Sequence, residues 1–566
     1  MYQKVSHRLP RDTPGISALT TDQFVYTGGT GNDTFVGGLQ NGQQTLSGLD
    51  TIDGGSGTNR LIATLNQANT SGTHLSNIQN VKISQVGVAG TLDLTNATGV
   101  LNYINSSSTA AHTVSGIGTS TTFGWENTNS NFTIALNNVT GTADAATVTL
   151  TNISNSVTAL NIAGIETLSL VSAGTAANAF QTLTAANATT LNVSGAADLS
   201  VVADIAAATT TINAGTATGD ITLSSAAGTA TIIGGAGNDS ITAGAGSDSI
   251  SGGDGNDTVV MGTNLLATDT VDGGAGTNIL AISQAATPAA GATASQAAGV
   301  TNFQTLRFDA TAITQDMAAF SATTFTKATQ ATGAGASALT ITNASASLNT
   351  LDVNQAAAIT TGFARASDTA TDALTVNAIQ AIAATSALTA SNEETVTINA
   401  STFAVDLDLA TATDLTTLNL TGSGAAQAIV IDAQAATLLA TVNASAISGT
   451  NTLNVDASDS TVALTFTGGT NSGATAFTSG SGNDIINAGT ASASVIDGGS
   501  GNDSITGGTQ ADSLTGAIGA DTLVGGGGAD TLNGGSGNDS LLGGDGNDVI
   551  QTSAGADIIN GGTGTN

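Results

Sequence analysis

Carboxylates recur at a fixed spacing in parts of this chain, and that spacing is the pattern that points to chemistry. From Gly498 the sequence keeps a nine-residue register: GGSGNDSIT, GGTQADSLT, GAIGADTLV, GGGGADTLN, GGSGNDSLL, GGDGNDVIQ, TSAGADIIN, then GGTGTN. Asp503, Asp512, Asp521, Asp530, Asp539, Asp548 and Asp557 hold the sixth position of successive units, and an outlying copy carries Asp484. A middle block from Gly234 repeats the register with Asp239, Asp248 and Asp257, and a single N-terminal copy from Gly28 carries Asp33. The candidate metal ligands also take in the acidic residues beside these turns, Asp50, Asp53, Asp269, Asp272 and Asp497.

The elements that must position these carboxylates follow from the unit itself. Its first six residues make a turn, in which glycines permit positive φ and close backbone approach. Its last three form a minimal strand with the middle, apolar side chain pointing inward. Ile505, Leu514, Leu523, Leu532, Leu541, Ile550 and Ile558 are the expected aliphatic ladder. Two units close one turn of a roll, so aspartates from successive turns stack on each edge beside exposed carbonyls. Such hard oxygen donors suit Ca2+, expected here in several copies. Without the ion the stacked carboxylates repel and a core this thin cannot offset chain entropy, so binding and folding are coupled. A glycine-rich linker would not hold the register, and a metal-free solenoid would leave the aspartate column unexplained.

Composition narrows the classes. Asp and Glu number 41 against 8 Lys and Arg, a formal net charge of −33, which excludes nucleic acid as a partner because that affinity depends on neutralising phosphates. The absence of cysteine excludes disulfides and thiolate sites. Aromatics are 3% and glycines number 72, so a thin aliphatic core and many tight turns are expected. Slightly positive mean hydropathy argues against disorder. No apolar run of about 18 residues predicts a transmembrane helix. Residues 1–14 lack the apolar stretch of a signal peptide, so the export signal is expected outside this chain.

These nonapeptides resemble the RTX family, the calcium-binding GGxGxDxUx repeats of proteins exported by Gram-negative type I secretion. The resemblance implies a carboxylate ligand from each repeat aspartate. It also implies carbonyl ligands at the first and third turn positions: Gly234 and Ala236, Gly252 and Asp254, Gly498 and Ser500, Gly534 and Ser536, Gly543 and Asp545. Gln510 replaces a turn glycine, and Thr552 and Ser553 replace the glycine pair, so the sites at those turns depart from the pattern.

Three near-identical phrases, DTIDGGSGTNRLIA from Asp50, DTVDGGAGTNILAI from Asp269 and the terminal GGTGTN, carry Asn59, Asn278 and Asn566 where the repeat has aspartate. They read as cassette-closing turns. The third is cut off, which predicts that the natural chain continues beyond Asn566. The expected organisation is an N-terminal segment at 1–23, a first cassette at 24–62, a Thr/Ala/Asn-rich spacer at 63–231, a second cassette at 232–281, a second spacer at 282–477 and a third cassette at 478–566. Recurring phrases such as IQNVKI at Ile78, IETLSL at Ile165, FQTLRF at Phe303 and EETVTI at Glu393, with TLNV, TINA and TIIG at Thr190, Thr211 and Thr231, predict β-helix rungs that merge into the calcium roll. A pair of β-sandwiches is the alternative. Ala-rich pieces at 287–299 and 374–386 are expected as short helices or loops. The fold expected overall is all-β, an elongated right-handed parallel β-solenoid with calcium-binding cassettes.

No HExxH or GxSxG motif is present, and the three histidines are His7, His74 and His112. His74 and His112 are expected at the surface, Trp125 buried or in a loop, and the Glu393–Glu394 pair solvated. No catalytic residue or organic cofactor is assigned, and a structural role is expected. Cassettes alternating with Thr/Ala-rich β-segments resemble RTX-type bacterial surface-layer proteins. That resemblance implies calcium-dependent folding outside the cell, self-assembly into a lattice, and attachment through lipopolysaccharide or another surface glycan. The alternatives are an RTX adhesin that binds a glycan or host surface, and the non-catalytic portion of a larger secreted hydrolase.

Overall fold

A computed structural model describes residues 5–8, 15–21, 24–154, 158–201, 205, 208–225, 228–283, 297–309, 313–331, 339–353, 360–378, 381–390, 392–400, 403–409, 411–423, 427–490, 493–551 and 553–566. The chain divides into two units, Met1–Leu280 with Gly299–Phe303, and Ala281–Ala298 with Gln304–Asn566. Among the described residues the regular structure is β-strand apart from one 3-10 turn at Met317–Ala319, capped by the Asp316 side chain. No helix there is long and apolar enough to cross a membrane.

In the first unit a 14-stranded sheet runs from Ile16–Ala18 to Val300–Thr301, each strand pairing in parallel with the strand one coil further on. Sheets on the other sides of the coil are built the same way, for example Asn69–Thr70, Gly90–Asp93, His112–Ile117 and Phe132–Leu136. The second unit carries a 12-stranded parallel sheet from Ile313–Asp316 to Val549–Gln551, faced by the parallel run from Thr305–Phe308 to Ile558–Thr563. Leu39–Gln40 and Gln43–Gln44 form an antiparallel pair around the left-handed residues Asn41 and Gly42.

Each unit is therefore a parallel β-solenoid, and the reading of the spacers as rungs holds. Thr190 pairs with Thr211, Thr211 with Thr231, Thr231 with Ser249 and Ser249 with Thr270, so spacer strands continue into the second cassette, with one register shift between Asn192 and Ser194. Thr417, Thr441, Thr465, Ile485 and Ser504 do the same into the third, with a shift between Asn419 and Thr421. Strict alternation drives this, since a strand such as Asn80–Gln85 buries every second side chain. Each buried column then stacks on the column of the next coil.

The first spacer's core holds several aromatic rings, whereas the third cassette's is aliphatic. Tyr103, Phe123, Trp125, Phe132 and Phe180 are all buried in the first unit. In the third cassette one ladder fills the space: Ile505, Leu514, Leu523, Leu532 and Leu541 are at most 1% exposed. The ladder ends on Ile559 rather than Ile558. Register sets Leu541 opposite Ile559, while Ile558, one residue after Asp557, faces out at 71% exposure.

Four further expectations are corrected or bounded. His112 is buried, not at the surface, because its ring stacks with Tyr103 and Phe132 and its Nε2 hydrogen-bonds the Tyr103 hydroxyl. His74 is exposed. Glu393 is buried, not solvated, because the Arg365 guanidinium binds both its oxygens at 2.7 and 3.0 Å, while Glu394 stays half-exposed. Of 374–386, residues 374–378 and 382–386 lie in the strands Ala373–Ala378 and Ile382–Ala390, where alternating Leu374, Val376 and Leu388 fill the coil interior, and residues 379–380 fall outside the described residues. Of 287–299, residues 287–296 fall outside the described residues.

Candidate metal centre

Each repeat aspartate sits just before its strand, where the turn feeds the chain back into the sheet. Asp239, Asp248, Asp257, Asp484, Asp503, Asp512, Asp521, Asp530, Asp539 and Asp548 are all at most 4% exposed. Asp33 is also buried, and Asp557 is half-buried. Since Asp503 precedes a strand of one sheet and Asp512 a strand of the facing sheet, the carboxylates fall into two files.

Along each file one carboxylate oxygen is used by the fold. The backbone N–H of one aspartate donates to Oδ1 of the aspartate one coil on: Asp239 to Asp257, Asp484 to Asp503, Asp503 to Asp521, Asp521 to Asp539 and Asp539 to Asp557, at 2.8–3.1 Å. Asp512 to Asp530 and Asp530 to Asp548 make the second file. Side-chain–backbone bonding at this spacing makes the strand ends self-registering.

The other oxygen is the one that needs something. Oδ2 of Asp248, Asp257, Asp503, Asp521, Asp530, Asp539 and Asp548 is buried and has no hydrogen-bond partner. A buried, unpaired anionic oxygen is expensive. A carbonyl of the following coil converges on the same place. A Cβ built on Gly252 would lie 2.4 Å from Asp257 Oδ2 and 2.5 Å from the Gly273 oxygen. Gly525 is flanked in the same way by Asp530 Oδ2 and the Gly543 oxygen, Gly516 by Asp521 Oδ2 and the Gly534 oxygen, and Gly234 by Asp239 Oδ2 and the Gly252 oxygen. Only glycine fits there. At Asp257, Asp521 and Asp530 the glycine thus brings a carbonyl oxygen beside an Oδ2 that has no donor, and a cation is the species that satisfies both. The donors are carboxylate and carbonyl oxygens, which fits calcium.

The third turn position is tied into the neighbouring coil. Ala236, Asp254, Ser500 and Ser536 donate their N–H groups to Ala217, Gly235, Gly480 and Ala517. The Ser536 and Asp545 carbonyls each accept one N–H, from Gly519 and Gly528, and keep a second lone pair. Gly537 explains the tight stacking: its φ is +139°, and a Cβ there would sit 1.5 Å from the Gly519 oxygen.

Other candidates are held differently. Asp50 and Asp269 turn Oδ2 toward the Ser47 and Leu266 N–H groups, at 2.8 and 2.7 Å, closing their own tight turns. Asp53 and Asp272 accept from Gly55 and Gly274 and from the Asn77 and Asn302 amides, and Asp497 accepts from Gly499. Asp254 and Asp545 carry exposed side chains, and Asp545 accepts from Thr563. Oδ2 of Asp33, Asp239 and Asp512 turns to the N–H of the second turn residue, Gly29, Gly235 and Gly508, and Oδ2 of Asp484 accepts the Ser479 hydroxyl. Sequence reasoning missed Ser479, because it stands where the repeat has its first glycine. The carboxylates of Asp368, Asp372 and Glu394 also cluster, with Asp372 already bonded to Thr369 and Glu394 to the Asp372 N–H.

Electrostatics agree with the geometry. Burial pushes the Asp503 carboxyl up to about 7, with the Asp484, Asp521 and Asp497 charges adding to it. Burial likewise raises Asp257 to about 6, with the charges of Asp239, Asp220 and Asp254 adding to it. Asp239, Asp248, Asp521 and Asp530 are raised for the same first reason. Carboxylates so placed resist ionisation unless a cation joins them.

No curated protein matches the chain. Residues 27–43, 44–64, 225–259, 497–532 and 533–566, which hold the stacked aspartates apart from Asp484, match the family described as the RTX calcium-binding nonapeptide repeat (4 copies), and in these stretches the chain is built of RTX repeats.

Proposed function

We propose that this chain is a structural, calcium-binding surface-layer protein, which folds on meeting extracellular calcium and self-assembles on a bacterial cell surface. The observation that carries the calcium part is the row of buried Oδ2 atoms that lack a donor. Each ion would take Oδ2 of a repeat aspartate and the first-position carbonyl of the next coil. The ion supplies the positive charge that lets two coil edges close. The protein's own part is to bury the carboxylates, fix Oδ1 through the backbone ladder, and hold the carbonyls close through glycine. Sites of the extracellular type fill at roughly 10⁻⁴–10⁻³ M, which keeps the chain open at cytosolic calcium and closes it after export by a type I route.

Lattice formation is supported by the repetitive body and by the distribution of the cassettes through both units, not at one end. Electron microscopy of the purified chain with millimolar calcium and with chelator tests it. Ordered sheets only with calcium are expected, and a protein that folds with calcium but stays monomeric would end the lattice reading.

One observation favours an adhesin as the second reading. A polar cleft of about 500 Å³ is lined by Gln40, Gln43, Gln67, Asn69, Thr70 and Ser71, neutral amides and hydroxyls suited to an uncharged sugar. A glycan array probed with the calcium-loaded chain decides between retention on neutral glycans and none.

A further inference from the structure

The repeat aspartates leave Asn59 and Asn278 to be explained, since each occupies the same position in its turn. Their Oδ1 atoms do what the aspartates' do, accepting from the Asp33 and Asp257 N–H groups at 2.8 Å each. The second side-chain atom differs. Where Asp257 offers a bare Oδ2, Asn278 offers an amide that donates to the Asn302 carbonyl at 3.1 Å and to the Gly274 carbonyl at 3.2 Å. The Asn59 amide donates to the Asn77 carbonyl at 2.9 Å.

The positions are equivalent. Gly252 is flanked by Asp257 Oδ2 and the Gly273 oxygen, Gly273 by Asn278 Nδ2 and the Asn302 oxygen, and Gly54 by Asn59 Nδ2 and the Asn77 oxygen. In the first arrangement two oxygens face each other across a gap. In the other two a nitrogen carrying protons faces the same carbonyl directly. The accepting residues are matched as well. Asn77 and Asn302 both take left-handed φ, 53° and 59°, a conformation asparagine adopts at lower cost than most residues. Each returns its own amide to an aspartate of the closing turn, Asn77 to Asp53 at 2.8 Å and Asn302 to Asp272 at 2.7 Å.

We propose that Asn59 and Asn278 are ion-free closures: the side-chain amide takes the place of calcium in the last turn of a cassette and docks the next spacer rung without metal. This rests on the calcium reading of the aspartates. Calcium dependence then has a built boundary. The aspartate turns need the ion, and the coil that follows each closing turn does not.

The test compares the full-length chain with Asn278→Asp and Asp257→Asn, using calcium as the probe. Bound calcium is counted by equilibrium dialysis, and hydrogen exchange of residues 271–282 and 299–303 is followed through a calcium titration. Asn278→Asp is expected to bind one more ion and to lose protection in this segment when calcium is chelated. Asp257→Asn is expected to bind one fewer and to keep its turn closed at lower calcium. An Asn278→Asp chain with an unchanged count and unchanged exchange, or one that stays unfolded in excess calcium, overturns the proposal, as does an Asp257→Asn chain whose turn needs more calcium. A wild-type chain that binds no calcium sinks the parent reading and this one together. A wild type that binds calcium beside an unresponsive Asn278→Asp sinks this one alone.

Discussion

Replacing Asp503 by asparagine should make the calcium-free third cassette more stable at neutral pH and the calcium-loaded one less stable. The magnitude follows from the site. Asp503 is 2% exposed, burial and its acidic neighbours raise its carboxyl to about 7, and the unfolded chain has it near 3.8. At about 1.4 kcal/mol per pH unit, that gap amounts to at most about 4 kcal/mol. The sign is set by which state holds the proton. The folded, ion-free state binds it more tightly, so this side chain's favourable contribution is complete below pH 3.8 and is lost as pH rises through about 7. The substituted asparagine carries no charge at any pH, and its side-chain oxygen can still accept from the Asp484 N–H as the carboxylate of Asp503 does. Osmolyte-driven refolding followed by circular dichroism in chelator, from pH 4 to 8, should therefore show Asp503→Asn and wild type converging near pH 4. The gap should widen to a few kcal/mol at pH 8, with the variant ahead. In millimolar calcium the order should invert at pH 7. Curves that run parallel across this range, or a variant that is weaker without calcium, would refute the account of a buried carboxylate waiting for a cation.

Three other outcomes are expected. Leu523 is fully buried between Ile505 and Leu541, so Leu523→Ala should destabilise the calcium-loaded second unit by about 2–5 kcal/mol in chemical unfolding, with the calcium count unchanged. Burial lowers the His112 imidazole to about 4, so folding of the first unit excludes a proton that the unfolded chain accepts below about 6.5; stability present above that pH should fall by about 3 kcal/mol toward pH 4. His112→Gln should flatten this loss in a pH series read by Trp125 fluorescence. Arg365→Met leaves Glu393 buried without its guanidinium and should cost about 3–5 kcal/mol by urea unfolding, while Arg365→Met with Glu393→Met should recover most of it.

The cassettes were legible because their rule is local. A nine-residue period with one acidic and one apolar position determines the turn, the strand and the two carboxylate files, and the ladder from Ile505 to Leu541 follows directly. The spacers were legible only as rungs, because their period drifts and the side chains that fill them are chosen by neighbours many residues away. His112 reads as a surface residue among serines and threonines, and only the coil brings Tyr103 and Phe132 against it. Glu393 reads as half of an exposed acidic pair, and its partner Arg365 lies a coil earlier, which no local pattern announces. Within the site, sequence spacing could place every repeat aspartate but could not tell Oδ1 from Oδ2. The difference between a carboxylate that caps its own turn, as at Asp50 and Asp269, and one left without a donor, as at Asp257 and Asp521, depends on backbone geometry. The amide closures were visible as Asn278 in an aspartate position, but their partners Asn77 and Asn302 are identified only by the fold.

If the cassettes close around calcium held by the unpartnered aspartate oxygens, peptide-resolved hydrogen exchange with and without calcium reads that closure. Amides of residues 503–548 and 239–257, which carry the aspartate ladder, should be protected in millimolar calcium and exchange rapidly in chelator. Equal protection of these amides in both conditions would contradict it.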